Sequence, residues 1–317
     1  MLSWLISWRT GGQTMAEPPV QIIAVLGATG LQGGAVTRQL LEEGWHIRAL
    51  TRNPDHKKVR SVAALGAEVV RADMNDPRSL ERAFDGAYGV FSVQNHHISG
   101  YDGEVAQGRN VTDVALRTGV RHVVYGAAGT GMQHTGIESW DVKIRIVRYM
   151  RDRDLPVTIL RPMAFMELMT ASKFFPPASI WHVMPKLMGP SRPVGWLAID
   201  DLAVIAAKAF RDPDRFIGRD LTLAADVRSI DECRKVWREV MGRPPRRFQM
   251  PVWLFERFAG TDETTMWRWL SSNHIDLNTQ PTLELHPEAL SVRAWLNRQS
   301  ALRSDATAAR RVAEGPV

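Results

Sequence analysis

The 317-residue chain has a single cysteine, Cys233, and only four tyrosines. A lone thiol forms no internal disulfide, and it excludes Cys-rich zinc sites and Cys-x-x-Cys redox chemistry; this fits a reducing compartment and predicts a cytoplasmic location. No apolar run approaches the ~18 residues that cross a bilayer, which excludes a membrane-spanning protein. With 23% charged and 44% hydrophobic residues, the composition also excludes fibrous and disordered classes. Charge of one sign is not in great excess: 40 Lys+Arg stand against 34 Asp+Glu, a net charge of +6. That balance admits an anionic partner, either nucleic acid or a phosphorylated cofactor.

The ends carry little fold information. Met1 to Trp8 is apolar but has no basic residue ahead of it and meets Arg9 and Gly11-Gly12 too soon for a secretory leader. Residues 1–14 are expected to be an extension outside the fold, with Met15 as a second candidate start. From Ser300 the chain is rich in Ala and Arg without an apolar stripe, so 300–317 is expected to be a disordered tail.

Between the ends, β-branched runs at Val20–Leu26, Ile47–Thr51, Ala67–Arg71, Tyr88–Val93, His122–Tyr125 and Val157–Leu160 alternate with helical patterns. Those helices are predicted over Leu31–Glu43, Arg78–Phe84, Gly103–Thr118 and Trp140–Arg153. Such alternation means parallel strands joined by crossover helices, and runs that are apolar almost throughout suit strands covered on both faces. The expected fold is α/β, a Rossmann-like doubly wound parallel sheet over 15–162. A smaller discontinuous α+β C-terminal domain covers most of 163–299, with 200–224 returning to the main sheet. Within it a helix is expected over Ile230–Val240, an edge strand over Arg247–Pro251, and helices around Trp253–Phe258, Thr264–Leu270 and Glu288–Asn297.

Directly after the first strand comes Gly27-Ala28-Thr29-Gly30-Leu31-Gln32-Gly33, with its glycines three apart. Placed between a strand and an amphipathic helix, this is the βαβ setting of a dinucleotide site, although a glycine-rich turn with no ligand has the same letters. The helix that follows offers free N–H groups and a partial positive charge to a phosphate. A carboxylate about 20 residues on would bind the ribose 2′-OH of NAD. Here Arg52 stands nineteen residues beyond Gly33, followed by Lys57 and Lys58. A guanidinium suits a 2′-phosphate, so NADP(H) is favoured over NAD(H), with Lys57 or Lys58 adding field, Lys57 counted among the cofactor contacts and one of the two lysines expected to be only solvated. Asp73-Met74, after the third strand, would face adenine, or Asp73 would be an ordinary helix cap.

These residues together resemble the NmrA-like family of atypical short-chain dehydrogenase/reductases, from about Gln21 to Arg298. The match includes the glycine loop with Gln32, Leu50-Thr51-Arg52-Asn53-Pro54, Asp73, His122-Val-Val-Tyr125, Lys143, Leu155 to Pro162 leading into Phe165-Met166-Glu167, and His286 to Leu296. The resemblance implies an NADP-binding Rossmann domain closed by a small domain. It implies contacts to cofactor phosphates from Gly27 through Gly33 and Arg52, to adenine from Asp73 and Met74, and from Val93 and Gln94 after the fourth strand. It further places Lys143 at the nicotinamide ribose and Phe165, Met166 and Glu167 near nicotinamide. Leu168 stands where the family usually has Asn.

Short-chain dehydrogenases usually pair a Tyr with a Lys four residues later, the Lys making the phenol a usable acid. None of Tyr88, Tyr101, Tyr125 and Tyr149 has that partner, and Ser139 precedes Lys143. No catalytic residue is therefore assigned. Lys143 itself belongs either to the ribose or to a basic helix face with Arg145 and Arg148. A flat conjugated acceptor such as a quinone, azo compound or dye can take hydride directly. Met163, Phe165, Met166, Met169, Phe174, Phe175, Trp181, Met184 and Met188 would form apolar walls for it, as a partly mobile lid or as plain core. His96 and His97 follow the fourth strand and are expected as loop residues near the cofactor, with a substrate-side role as the alternative; adjacent histidines without nearby carboxylate or Cys partners make a poor metal site, and no metal site is expected. Met241 to Phe248 is basic but short and lacks interleaved aromatics, so direct nucleic-acid binding is not expected. The alternative to a reductase is a non-catalytic redox sensor acting through a regulated protein partner. Oligomeric state, including a dimer, is left open.

Overall fold

The structure is a computed structural model; it describes residues 21–170, 179–246, 250–273 and 275–314, with side chains as far as Asp305. The first βαβ unit runs from β1 (Ile22–Leu26) through α1 (Leu31–Glu42) to β2 (His46–Thr51). It continues through α2 (Lys57–Ala63), β3 (Glu68–Arg71), α3 (Pro77–Phe84), β4 (Gly89–Ser92), α4 (His96–Arg117), β5 (His122–Gly126), α5 (Glu138–Asp152) and β6 (Val157–Pro162). Helix α3 begins as its letters suggest, with Asp76 accepting from the Arg78 amide at 3.1 Å and Pro77 in the first turn.

Two surprises concern helix starts. Lys57 and Lys58 open a helix, α2, because His56 caps it through Nδ1, 3.2 Å from the Lys58 amide. Helix α4 starts at His96, seven residues before the expected Gly103, with Asn95 accepting from the His97 amide and a non-helical Gly100 absorbing the kink. A local Asx cap supplied an extra turn that hydrophobic periodicity does not show.

The sheet is parallel in the order β3-β2-β1-β4-β5-β6, the doubly wound arrangement, and a seventh strand, β9 (Asp220–Leu223), joins beyond β6. Successive strand residues face opposite cores: Ile23 and Val25 pack with α1 under one face, Ala24 and Leu26 with α3, α4 and α5 under the other. After β6 the chain forms β7 (Ala164–Phe165), a 3-10 turn over Met166–Met169, a π-turn over Ser179–Val183, α6 (Met184–Met188) and β8 (Pro193–Leu197). It then returns to the sheet through α7 (Ile199–Arg211), which packs on α1, α8 (Pro213–Phe216) and β9 (Asp220–Leu223).

Strand β10 (Asp226–Ser229) pairs antiparallel with β8, and β8 pairs parallel with β7, giving a three-stranded second sheet. It is followed by α9 (Ile230–Met241), α10 (Val252–Ala259), α11 (Asp262–Ser272), α12 (Gln280–Leu285) and α13 (Val292–Glu314). The smaller core is rich in Trp and Met: Met166, Met169, Trp181, Trp196, Trp237, Trp267 and Trp295 meet there with Cys233. Burial pushes the Cys233 thiol up to about 12, so it is inert packing rather than a nucleophile. The expected tail from Ser300 is instead helix through Glu314. Ala and Arg are strong helix formers, so intrinsic propensity extends α13 without an apolar stripe. Residues 1–14, Phe174 and Phe175 lie outside the described residues, as does most of the expected edge strand at Arg247–Pro251, whose Met250 and Pro251 are not in a strand. No helix among the described residues is long and apolar enough to cross a membrane.

Candidate cofactor cleft

A cleft of about 820 Å³ runs along the carboxyl ends of the strands and under the smaller domain. One end is the glycine loop. Gly27 holds a left-handed φ of +69°, and a Cβ built on Gly33 would lie 2.4 Å from the Gly27 carbonyl oxygen, so the turn closes only around glycine. Gly30 caps α1 with no side-chain hydrogen bond, and the first turn of α1 carries no acid. Its leading amides are therefore available to an anion. Thr29, Leu31 and Gln32 line the same wall, and Gln32 Oε1 is buried with no partner among the described residues.

Arg52, at the end of β2, reaches the cleft and makes no hydrogen bond or ion pair among the described residues. The following turn is fixed by the Asn53 amide on Thr51 Oγ1 (3.2 Å) and the Asp55 amide on Asn53 Oδ1 (3.1 Å). Lys58 lines the cleft and Lys57 does not: starting a helix at Lys57 turns successive side chains about 100° apart, so only one of the pair faces inward. Asp73 and Met74 line the adjoining wall. Asp73 Oδ1 accepts from the Asn75 amide at 2.9 Å, while Asp76 provides the cap of α3. Gln94 donates to Ser92 Oγ at 2.8 Å and to Met74 Sδ at 3.6 Å, which leaves its Oε1 buried and unpartnered among the described residues. Val93 closes against Gly27.

Of the Phe165–Glu167 stretch, Phe165 and Glu167 line the cleft. Met166 is instead wholly buried in the smaller core, because the 3-10 turn there points consecutive side chains apart. Glu167 accepts from the Ile199 amide through both oxygens at 3.2 Å, so a carboxylate distant in sequence caps α7. Burial pushes its carboxyl up to about 7, opposed by its own and the Ile199 backbone amides. Leu168, Met163, Met184, Met188, Met266 and Trp267 complete an apolar end, to which Asp262 and Glu263 add acid. The Met-rich segment thus divides, with Met166, Met169 and Trp181 in the core and others facing the cleft.

None of the four tyrosines lines the cleft. Tyr125 is fully buried beneath Lys143, whose Nζ lies 5.6 Å from the ring centroid, and burial raises the phenol far above its ordinary value. Lys143 reaches the cleft but is nearly enclosed. It donates to the Gln94 carbonyl at 3.0 Å and lies 2.5 Å from Oε1 of Glu104, which is wholly buried on α4. Burial lowers the Lys143 pKa, while for Glu104 burial is outweighed by His96 and Lys143, which hold the carboxyl below its usual range.

The histidines differ from expectation. Both open α4 rather than occupying a loop, and both have carboxylate neighbours: His96 Nδ1 lies 3.4 Å from Glu104 Oε2, and His97 Nε2 lies 3.5 Å from Glu263 Oε1. Glu104 lies two helical turns further along α4 and Glu263 is remote in sequence, so neither is an immediate neighbour of its histidine. Among the described residues there is no cluster of three or more groups arranged to hold a metal ion.

Comparison with known proteins gives a consistent picture. The model of the NmrA-like family matches residues 19–275. The NmrA-like family domain-containing oxidoreductase FrzB of Cladobotryum sp. is 31% identical over 251 residues, covering 71% of this chain and 75% of that protein. The similarly described oxidoreductase hkm9 of Aspergillus hancockii is 30% identical over 263 residues, covering 75% and 78%. Among solved structures, Citrobacter sp. triphenylmethane reductase complexed with NADP(H) superposes with a TM-score of 0.72 at 22% identity, covering 88% of this chain and 99% of that one. The negative transcriptional regulator NmrA in complex with NADP gives 0.72 at 18% identity, covering 90% and 97%.

Proposed function

This chain belongs to the NmrA-like family, and from that premise we propose that it is an NADP(H)-dependent reductase that passes hydride to a flat hydrophobic acceptor. The observation that carries the proposal is the continuity of one cleft, from a glycine cradle at an uncapped helix start, past Arg52, to walls of Met and Trp. The residues fit the cofactor: the glycine turn, which closes only because Gly33 has no Cβ, brings the α1 amides to the cleft, and Gln32 and Gln94 in its wall each keep a buried oxygen with no partner among the described residues. When bound, the cofactor supplies a hydride. The α1 amides would hold its pyrophosphate, Arg52 and Lys58 its 2′-phosphate, and Asp73 and Met74 would border adenine. Lys143 and Gln94 would meet the nicotinamide ribose. Phe165 and the Met-rich wall would exclude water from the acceptor.

A second reading is a redox sensor whose cofactor state governs a regulated protein partner. It draws support from the resemblance in fold to a transcriptional regulator that binds NADP. The two are separated by assaying NADPH oxidation against quinone, azo and triarylmethane acceptors. Acceptor-dependent oxidation above background supports the reductase, and binding of a partner that tracks the NADP+/NADPH ratio without any turnover supports the sensor.

A further inference from the structure

The cleft holds one cluster of ionisable groups that ribose binding by Lys143 leaves unexplained. Glu104, with no solvent exposure, sits between Lys143 of α5 (2.5 Å) and His96 at the start of α4 (3.4 Å). His96 lines the cleft two residues after Gln94, and its Nε2 has no partner among the described residues. Enclosing a carboxylate and an ammonium costs several kcal/mol per ion before pairing repays it, so an apolar pair would hold α4 to α5 at least as well. Buried charge of this kind beside a cleft is the setting in which proton transfer is organised.

We propose that His96 is the catalytic proton donor of this protein, with Glu104 as its positioning residue, and that the acceptors include neutral conjugated carbonyl or imine compounds. This rests on the reductase reading above. Glu104 Oε2 stands 3.4 Å from Nδ1, on the side of the ring where a buried carboxylate orients the His of a nucleophile–His–acid triad, and so leaves Nε2 as the atom that takes up and gives a proton. As the acceptor carbon gains hydride from reduced nicotinamide, the electron pair of its C=O or C=N system moves to the heteroatom. The Nε2–H bond of the imidazolium breaks and an O–H or N–H bond forms. The acceptor is reduced by two electrons, and the neutral imidazole regains its proton from water after the product leaves; Nε2 itself is buried, and the 17% exposure of the side chain lies on its other atoms. A cationic triarylmethane needs no such proton, since hydride alone gives a neutral product.

Two measurements test this. In the cofactor-free protein, heteronuclear NMR of the imidazole nitrogens should show neutral His96 as the Nδ1–H tautomer, and Glu104→Gln should shift it toward Nε2–H. Finding Nε2–H in the wild type overturns the positioning role. With NADPH, His96→Gln should lower the ratio of naphthoquinone to cationic triarylmethane turnover by about tenfold or more. It should also remove the solvent deuterium isotope effect on quinone turnover. An unchanged ratio overturns the donor role while the reductase reading stands; wild-type protein inert toward both acceptors overturns the reductase reading and the donor role with it.

Discussion

The proposed NADP(H) preference rests on a single side chain, Arg52. A charge-assisted hydrogen bond is worth ~1.5–3 kcal/mol, so Arg52→Glu should weaken NADPH by roughly 10- to 100-fold and NADH far less. Equal losses in a fluorescence titration would place the 2′-phosphate elsewhere. Glu167 makes a different kind of prediction. Its folded pKa, about 7, lies above the ordinary value of 4.5, so the folded state holds its proton more tightly than the unfolded chain does. Its favourable contribution is therefore complete below the unfolded value and is lost as pH rises from there through about 7. Glu167→Gln keeps an oxygen for the Ile199 amide and removes the charge. Its Tm relative to wild type should accordingly rise between pH 5 and pH 8; a constant difference across that range, by thermal melts, would contradict the assignment. Arg52 and the glycine loop were legible because their chemistry is local, a strand end and a turn within one βαβ unit. Glu104 was not, and although Glu167 was expected near nicotinamide its capping of α7 was not, because these carboxylates pair with Lys143 and Ile199, each more than thirty positions away. One sign was available: Glu104, Gly108, Val111 and Ala115 recur at helical spacing along the buried face of α4, so a carboxylate stood in an apolar stripe.

At the scale of elements, β1 through β6 and their crossover helices could be placed because each buries a periodic apolar face. Helices α2 and the first turns of α4 escaped because their starts depend on His56 and Asn95 caps, which the apolar period does not register. The contact between α4 and α5 also sets the site. It is close because Gly108 has no side chain: a Cβ there would lie 2.7 Å from Ile146 Cγ2. Gly108→Ala would push the helices apart and separate Glu104 from Lys143. It should destabilise the protein by ~1–3 kcal/mol in denaturant melts, the usual cost of overpacking. A null effect would mean that Ile146 has room to turn aside.

In the whole molecule, the cleft lies between the main sheet with its two cores and the smaller core, which the chain joins repeatedly. Glu167 of the smaller domain caps α7 of the larger, Asp201 of α7 accepts from the Leu290 amide at 2.9 Å, and Thr282 Oγ1 accepts from the Ala224 amide at 3.0 Å. Each link exchanges a protein partner for water if the larger and smaller domains separate, a net loss of ~0.5–1.5 kcal/mol per hydrogen bond that penalises independent unfolding. A ligand that contacts both walls should then stabilise both domains together. NADPH at a hundred times its Kd adds ~2.7 kcal/mol, which for a chain of this size raises Tm by roughly 5 °C. Calorimetry should show one transition displaced upward as a unit, more by NADPH than by NADH at equal concentration. Two transitions, with only one responding to NADPH, would mean that the cofactor touches the larger domain alone and that the smaller one closes over the cleft without holding what lies in it.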